Sequence, residues 1–463
     1  MTSRFETQAT FDAFCEELQA ACAEYAVPGV AVGILHKGET YMAGFGVNNV
    51  NQPRPVDPDT LFQIGSVTKT VTATAIMWLV EKGKVELNAP VRRYLPDFAL
   101  KEPKLAEQVT VQHLLMHVAG WMGDFFYDTG RGADALAKYV AMMADLPIVH
   151  PLDQGWAYNN AAFGVAGRII EVVSGESYEH FVSQRILAPL GMEMSFFFPE
   201  DVLYYNVAVG HNTQEDGAQE LAKPWALARS SNPAGGIVST VRDQLRYARF
   251  HLGDGTTESG QTLLSRASLQ EMQKTHRKAA SLADEVGISW LIRLVGDTRL
   301  VNHSGATNSQ YSALVLVPAR NFAITILTNG SRGRTLNNVI VKTALERFLK
   351  VSQAEPAVMP LTLELARQYR GHYEAALAAI DIEPQGEGVV VHVQPRGGFP
   401  DQNTPPPPAP PPAPFYAYAE DLLWAKDGPM LGSKAEFLRN AQGDVYGFHL
   451  GGRIYQRAAH PSS

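Results

Sequence analysis

At 463 residues the chain is longer than one hydrophobic core usually serves, so two domains are expected. Its 45% hydrophobic and 19% charged residues are those of a soluble globular protein. A net charge of -8 with no basic run argues against a nucleic-acid surface, and no stretch of about 18 apolar residues is present to span a membrane as a helix.

Residues 1–19 carry early acidic side chains and no apolar leader core, so the chain reads as cytoplasmic. Residues 10–26 predict an amphipathic helix with Phe11, Cys15, Leu18, Cys22 and Tyr25 on one face. Cys15 and Cys22 are the only cysteines; seven helical residues rise about 10.5 Å, too far for a disulfide, so both are expected as buried thiols on a core face. Residues 29–35 and 40–47 alternate around His36-Lys37-Gly38-Glu39 as a β-hairpin. An apolar approach over 61–65 leads to Ser66, and residues 70–81 predict a buried helix ended by Lys82-Gly83-Lys84. The middle, about 90–230, is helical pattern broken by glycine and proline, clearest at 161–173 and 177–187.

Strands return from 286 to 328, where 312–317 and 322–328 flank Pro318-Ala319-Arg320-Asn321 as a second hairpin, and 334–350 predicts a closing helix. Strand and helix at both ends of a helical middle predict one sheet assembled from distant segments, an α+β arrangement. Beyond 355, short strand-like runs at 388–393, 415–418, 436–439 and 445–450 predict a small all-β module, with a barrel as its closed form. The expected domains are 8–352 and 360–460. Within the second lies a Pro-rich loop at 404–414; eight of the ten residues from 405 to 414 are proline, which favours polyproline II about 31 Å long if extended. It reads as a surface loop or spacer rather than a partner ligand.

Ser66-Val67-Thr68-Lys69 puts a hydroxyl and an amine one turn apart on one face. A serine is a weak nucleophile until a neighbour takes its proton, and a lysine does so only when burial or another cation lowers its pKa from about 10.4. Alone the pattern is cheap, and most instances are ordinary helix surface. Two further motifs supply the missing parts. Tyr158-Asn159-Asn160 precedes a helix; a tyrosine near two positive groups is expected as a phenolate proton carrier, and an asparagine amide donates to a substrate carbonyl and accepts from a lysine. His303-Ser304-Gly305 comes just before an alternating strand, where the glycine lets substrate approach and the Ala306 N–H pairs with that of Ser66 as oxyanion donors. The apolar stretch Leu114-Leu115-Met116-His117-Val118-Ala119-Gly120 is expected to wall the cleft.

His113 and His117 have a zinc-like i, i+4 spacing, but no third ligand is evident and the stretch reads as structural helix, so no metal is implied. No phosphate-binding loop occurs, and no Gly-x-Ser-x-Gly elbow surrounds Ser66, so neither a nucleotide site nor an α/β-hydrolase follows. For Trp121, Trp156 and Tyr311, a place on the cleft wall and a place in the core are equally expected.

The order Ser-x-x-Lys, Tyr-x-Asn, His-Ser-Gly resembles the serine β-lactamase and penicillin-binding-protein superfamily, nearest its class C and peptidase-family-S12 branch, over residues 10–350. The flanks match as well: Gly167-Arg168-Ile169-Ile170-Glu171-Val172-Val173-Ser174-Gly175, Ile186-Leu187-Ala188-Pro189-Leu190-Gly191-Met192 and Gly235-Gly236-Ile237-Val238-Ser239-Thr240. Tyr369-Arg370-Gly371-His372-Tyr373 resembles the start of the lipocalin-like barrel appended to some members. The resemblance implies an antiparallel sheet flanked by helices with a helical subdomain, plus a small C-terminal β-barrel. It implies Ser66 as acylated nucleophile, Lys69 and Tyr158 sharing the proton work, and substrate contacts from Asn160, His303, Ser304, Gly305 and Ala306. No cofactor is implied.

One departure matters: β-lactamases usually open the third motif with lysine, whereas His303 carries only partial charge near neutrality. That resembles certain D-alanyl-D-alanine peptidases, D-aminopeptidases and esterases. The expected activity is therefore hydrolysis of an amide or ester of a small substrate: a short peptide, a D-amino-acid amide or a simple ester. The alternatives are a β-lactamase or D,D-carboxypeptidase, and a non-catalytic sensor or scaffold of the same fold. Oligomeric state is left open, and the barrel is expected to restrict access to the cleft or mediate assembly.

Overall fold

The first helix, α1 (Thr2–Glu24), opens a computed structural model that describes residues 2–458. Residues 459–460 of the expected second domain lie outside them. α1 buries Phe11, Phe14 and Leu18 at steps of three and four. That face leaves Cys15 and Cys22 half-buried at its margin rather than in the core, and burial pushes the two thiols up to about 11 and about 12.

Strands β1 (Gly29–His36) and β2 (Glu39–Gly46) form the first hairpin, turned at Lys37-Gly38 with both φ positive. Far along the chain come β3 (Arg277–Lys278), β4 (Glu285–Val286), β5 (Leu291–Val295), β6 (Thr298–Ala306), β7 (Tyr311–Val317) and β8 (Phe322–Thr328). All eight join in one antiparallel sheet, ordered β2-β1-β8-β7-β6-β5-β4-β3. The seam that joins the early hairpin to the late strands of this sheet is β1 against β8, from Val30↔Thr328 to His36↔Phe322.

Both faces are buried, and period-two alternation sorts the side chains between them. Ala31, Leu35, Leu314, Leu316 and Leu327 join the larger core with α2 (Thr68–Glu81) and the helical middle. Val30, Val32, Ile34, Val315, Ile324 and Ile326 pack with α1 and the closing helix. In the helical middle, α3 (Val111–Leu115) packs on α4 (Asn160–Ser174), α4 and α5 (Asn232–Gly235) pack on α2, and α6 (Val241–Leu252) covers the sheet. The stretch expected as one helix over 177–187 is α-helical at Tyr178–Val182 and widens to a π turn at Ser183–Leu187. The closing helix, α7 (Gly333–Ala344), is followed by a similar π turn at Leu345–Leu349. Among the described residues no helix is long and apolar enough to cross a membrane.

Residues 351–362 form no helix or strand and dock along the following module through Met359 N–H to Ala417 O and Leu361 N–H to Glu387 O. That module is a closed antiparallel barrel of β9 (Gly371–Glu374), β10 (Ala378–Gln385), β11 (Gly388–Pro395), β12 (Ala413–Ala419), β13 (Leu422–Trp424), β14 (Lys434–Arg439), β15 (Val445–Leu450) and β16 (Arg453–Arg457). Its interior is filled by side chains, with Tyr369 stacked on Phe437 at 3.9 Å beside Tyr373 and Phe448. β11 pairs with β12 only from Gly388 to Val391. The exposed proline-rich stretch 405–412 leads into β12 outside any ladder, which suits residues with no N–H to give one.

Candidate active site

Ser66 sits in a short 3-10 turn, Gly65–Val67, that feeds directly into α2. Gly65 has φ +49, and a Cβ there would lie 2.7 Å from the Ala306 nitrogen, so only glycine fits. Lys69 follows in the first turn of α2, wholly buried, and donates to Ser66 Oγ at 3.0 Å and to Ala234 O at 2.6 Å. Burial above all, and then the positive charge of Arg453, pull its pKa far below the ordinary lysine value; Asp124 opposes them.

The end of β6 abuts this turn. A Cβ on Gly305 would stand 1.9 Å from Ile64 O and 2.8 Å from the Ser66 nitrogen, and Ser312 Oγ ties the same Ile64 carbonyl at 2.6 Å. The Ser66 and Ala306 amides are thus drawn from abutting backbone, as an oxyanion pair requires. β5 pairs with β6 only as far as Asn302, which leaves residues 303–306 an open edge on that side.

His303, Ser304 and Gly305 therefore lie within a strand, not before one. The side chain of His303 is buried, and its Nδ1–H donates to Ser304 O at 2.8 Å. That fixes a bare Nε2 lone pair with no partner among the described residues. Burial, and next the charge of Lys69, push the imidazole down to about 3, so the partial charge expected at neutral pH is replaced by a neutral ring.

Tyr158 ends the approach to α4, where Asn159 is the N-cap, its Oδ1 accepting from Ala162 N–H at 2.8 Å. The phenol ring lies 5.0 Å from Lys69 Nζ. Burial raises the Tyr158 pKa above the normal phenol range, outweighing the hydroxyl of Ser66 and the charge of Arg453, so the expected phenolate is not favoured. Asn160 does not turn to Lys69; its amide donates to Asp124 Oδ1 at 2.9 Å.

Two charged residues that motif reasoning missed complete the site. Asp124, in the irregular stretch after Trp121, is buried and receives Arg453 in a two-pronged bond: Nε to Oδ2 at 2.9 Å and Nη2 to Oδ1 at 2.9 Å. Arg453 comes from the barrel, just after the two-residue turn Gly451-Gly452 between β15 and β16, where both glycines have positive φ. Its guanidinium lies 5.1 Å from the centre of the Tyr158 ring, and Gly452 O accepts from Tyr158 N–H at 2.7 Å. His449 on the same hairpin donates to Trp156 O at 3.0 Å and accepts from Ser281 Oγ at 2.7 Å. A second barrel loop adds Phe399 edge-on to Phe126 at 4.9 Å, with Gln402 Oε1 accepting from Asp128 N–H. Gly451-Gly452 follows the last strand-like run of the sequence, 445–450, and nothing in the sequence joined it to Ser66.

The His113–His117 spacing does not become a shared helix face. α3 stops at Leu115; His113 serves the capping box with Thr110, while His117 lies beyond the helix at φ +62 and faces Tyr158. Trp121 packs in the core on Phe98, Trp156 packs between His117 and His449, and Tyr311 is half-exposed beneath Arg334.

The family profile described as Beta-lactamase matches residues 11–342. The chain belongs to the beta-lactamase family. Members of this family are serine hydrolases. Penicillin-binding protein 4 of Amycolatopsis lactamdurans is 33% identical over 367 residues, spanning 78% of this chain and 96% of that protein. The crystal structure of SurE with D-Leu is similar in fold across 97% of this chain and all (100%) of its own, barrel included, with TM-score 0.75 at 24% identity. A class C beta-lactamase from Rhodobacter sphaeroides is similar over 72% of this chain and 99% of its own, with TM-score 0.60 at 22% identity.

Proposed function

We propose that this beta-lactamase family member cleaves an amide or ester bond of a small substrate, a short peptide, D-amino-acid amide or simple ester, through an acyl-enzyme on Ser66. The observation that carries the reading is a buried Lys69 bonded to Ser66 Oγ and stripped of its usual tendency to hold charge. A neutral amine accepts the Ser66 proton as Oγ attacks the substrate carbonyl. The oxyanion of the tetrahedral intermediate is held by the N–H groups of Ser66 and Ala306, a contribution that typically costs about 10²–10³ in rate when one donor is lost. On collapse the leaving group takes a proton from Tyr158, which Lys69 replenishes, and water then releases the acyl group by the same path reversed. Lys69 is assigned the first proton because burial lowers its pKa and raises that of Tyr158.

The substrate side supports a small peptide or its derivative. The fixed positive charge that lysine usually gives the third motif is absent, and a buried, neutral His303 ring stands in its place. A fixed cation stands instead on Tyr158, delivered by the barrel as Arg453. The presence of D-Leu in the SurE structure supports a D-residue. The match to a penicillin-binding protein keeps β-lactam or D,D-peptide chemistry as the second reading.

A panel of D- and L-amino-acid nitroanilides, nitrophenyl esters and nitrocefin separates these. Turnover of the esters and of a D-residue substrate is expected, with nitrocefin the slowest. Nitrocefin as the fastest substrate would overturn the role given to His303.

A further inference from the structure

The segment carrying Tyr158 is held by three consecutive backbone N–H groups. Ala157 N–H donates to His117 O at 3.1 Å and Asn159 N–H to His117 Nδ1 at 2.9 Å, while Tyr158 N–H goes to Gly452 O. One residue thus grips the chain on both sides of the tyrosine, once by its carbonyl and once by its ring. The same imidazole lies face to face with the phenol ring, centroids 4.3 Å apart and planes 23° apart. His117 is fully buried and holds a left-handed φ of +62, a conformation that a non-glycine residue keeps only where its surroundings impose it.

A backbone N–H can only donate, so Nδ1 of His117 is the unprotonated nitrogen and the ring proton sits on Nε2. Protonating Nδ1 would break the bond to Asn159 and add a buried cation to the pocket that already holds Lys69 and Arg453. Burial, and then Lys69 itself, hold the ring neutral.

We propose that His117 is a positioning residue for Tyr158: its neutral Nε2–H tautomer clamps the 157–159 backbone and its ring sets the plane of the phenol against Lys69 and Ser66. The inference rests on the Ser66 acyl-transfer reading and deepens it. A misplaced proton donor by about 1 Å costs about 10²-fold in rate, so the loss belongs to turnover rather than to binding.

The test compares His117→Phe, which keeps a ring but offers Asn159 no acceptor, with His117→Asn, whose amide oxygen accepts and whose backbone tolerates positive φ. Rates are expressed per site labelled by a fluorophosphonate, which removes any unfolded fraction. His117→Phe is expected to lower kcat about 10²-fold with KM nearly unchanged, and His117→Asn to recover part of that loss. Nitrogen-15 NMR of the wild-type protein is expected to show Nδ1 as the bare nitrogen of His117. Wild-type kcat per labelled site in both variants, or a proton on Nδ1, would overturn the inference. A wild-type protein that neither labels nor turns over would instead overturn the acyl-transfer reading beneath it.

Discussion

Replacing Lys69 by methionine is expected to lower kcat/KM about 10²- to 10⁴-fold, the range that a positioned general base supplies. Methionine fills much of the volume and removes only the amine. Lys69→Arg is expected to fail as badly, because a guanidinium stays charged and takes no proton. The direction with pH follows from the same site. Lys69 accepts a proton only when neutral, so activity rises as pH climbs through its pKa. That pKa lies well below the ordinary lysine value of 10.5, so the acid limb of kcat/KM in the wild type falls correspondingly low. The limb should vanish from the residual activity of Lys69→Met. Profiles of kcat/KM against pH for the three proteins check this. A limb near the ordinary lysine pKa of about 10.4, or wild-type rates in either variant, would remove Lys69 as the base.

Arg453 carries the second large effect, because it serves both the docking of the barrel and the charge balance of the site. Arg453→Met leaves Asp124 buried without its charged partner, with the Asn160 amide still bonded to it. The Asp124 side chain is 5% exposed and that of Arg453 31%, so the cost is set between the surface and fully buried limits, about 2–3 kcal/mol. It is read as a lower urea midpoint, and the double variant Arg453→Met/Asp124→Asn should recover part of it. The effects on Lys69 have opposite signs. Arg453 lowers the Lys69 pKa and Asp124 raises it, so Arg453→Met is expected to move the acid limb to higher pH and Asp124→Asn to lower pH. Shifts in the same direction would show that the hairpin acts on structure alone.

Much of this architecture was legible in the sequence because it is local. The 29-to-47 hairpin, the buried helix after Ser66 and the 312–328 hairpin each follow from period and turn residues. The four side chains Ser66, Lys69, Tyr158 and His303 were recognisable by motif order, and the fold gathers them. What failed was charge. Tyr158 was expected as a phenolate and His303 as partly charged, since spacing reports which groups meet and not how dry their surroundings are; burial decides both against ionisation. The partners of Asn160 were also hidden. Asp124 stands in a stretch without period, and Arg453 reaches it from a separate barrel, a pairing fixed only once two modules dock. His117 was marked as a wall of the cleft, but its backbone grip on 157–159 depends on a left-handed turn that no local signal required.

The central claim is that Ser66 is a nucleophile activated in place. Intact-mass measurement after brief exposure to a fluorophosphonate tests it most directly, in the wild type and in Ser66→Ala. A single adduct is expected on the wild type, mapped to the peptide containing Ser66, and none on Ser66→Ala. An unlabelled wild type, or equal labelling of both proteins, would contradict it.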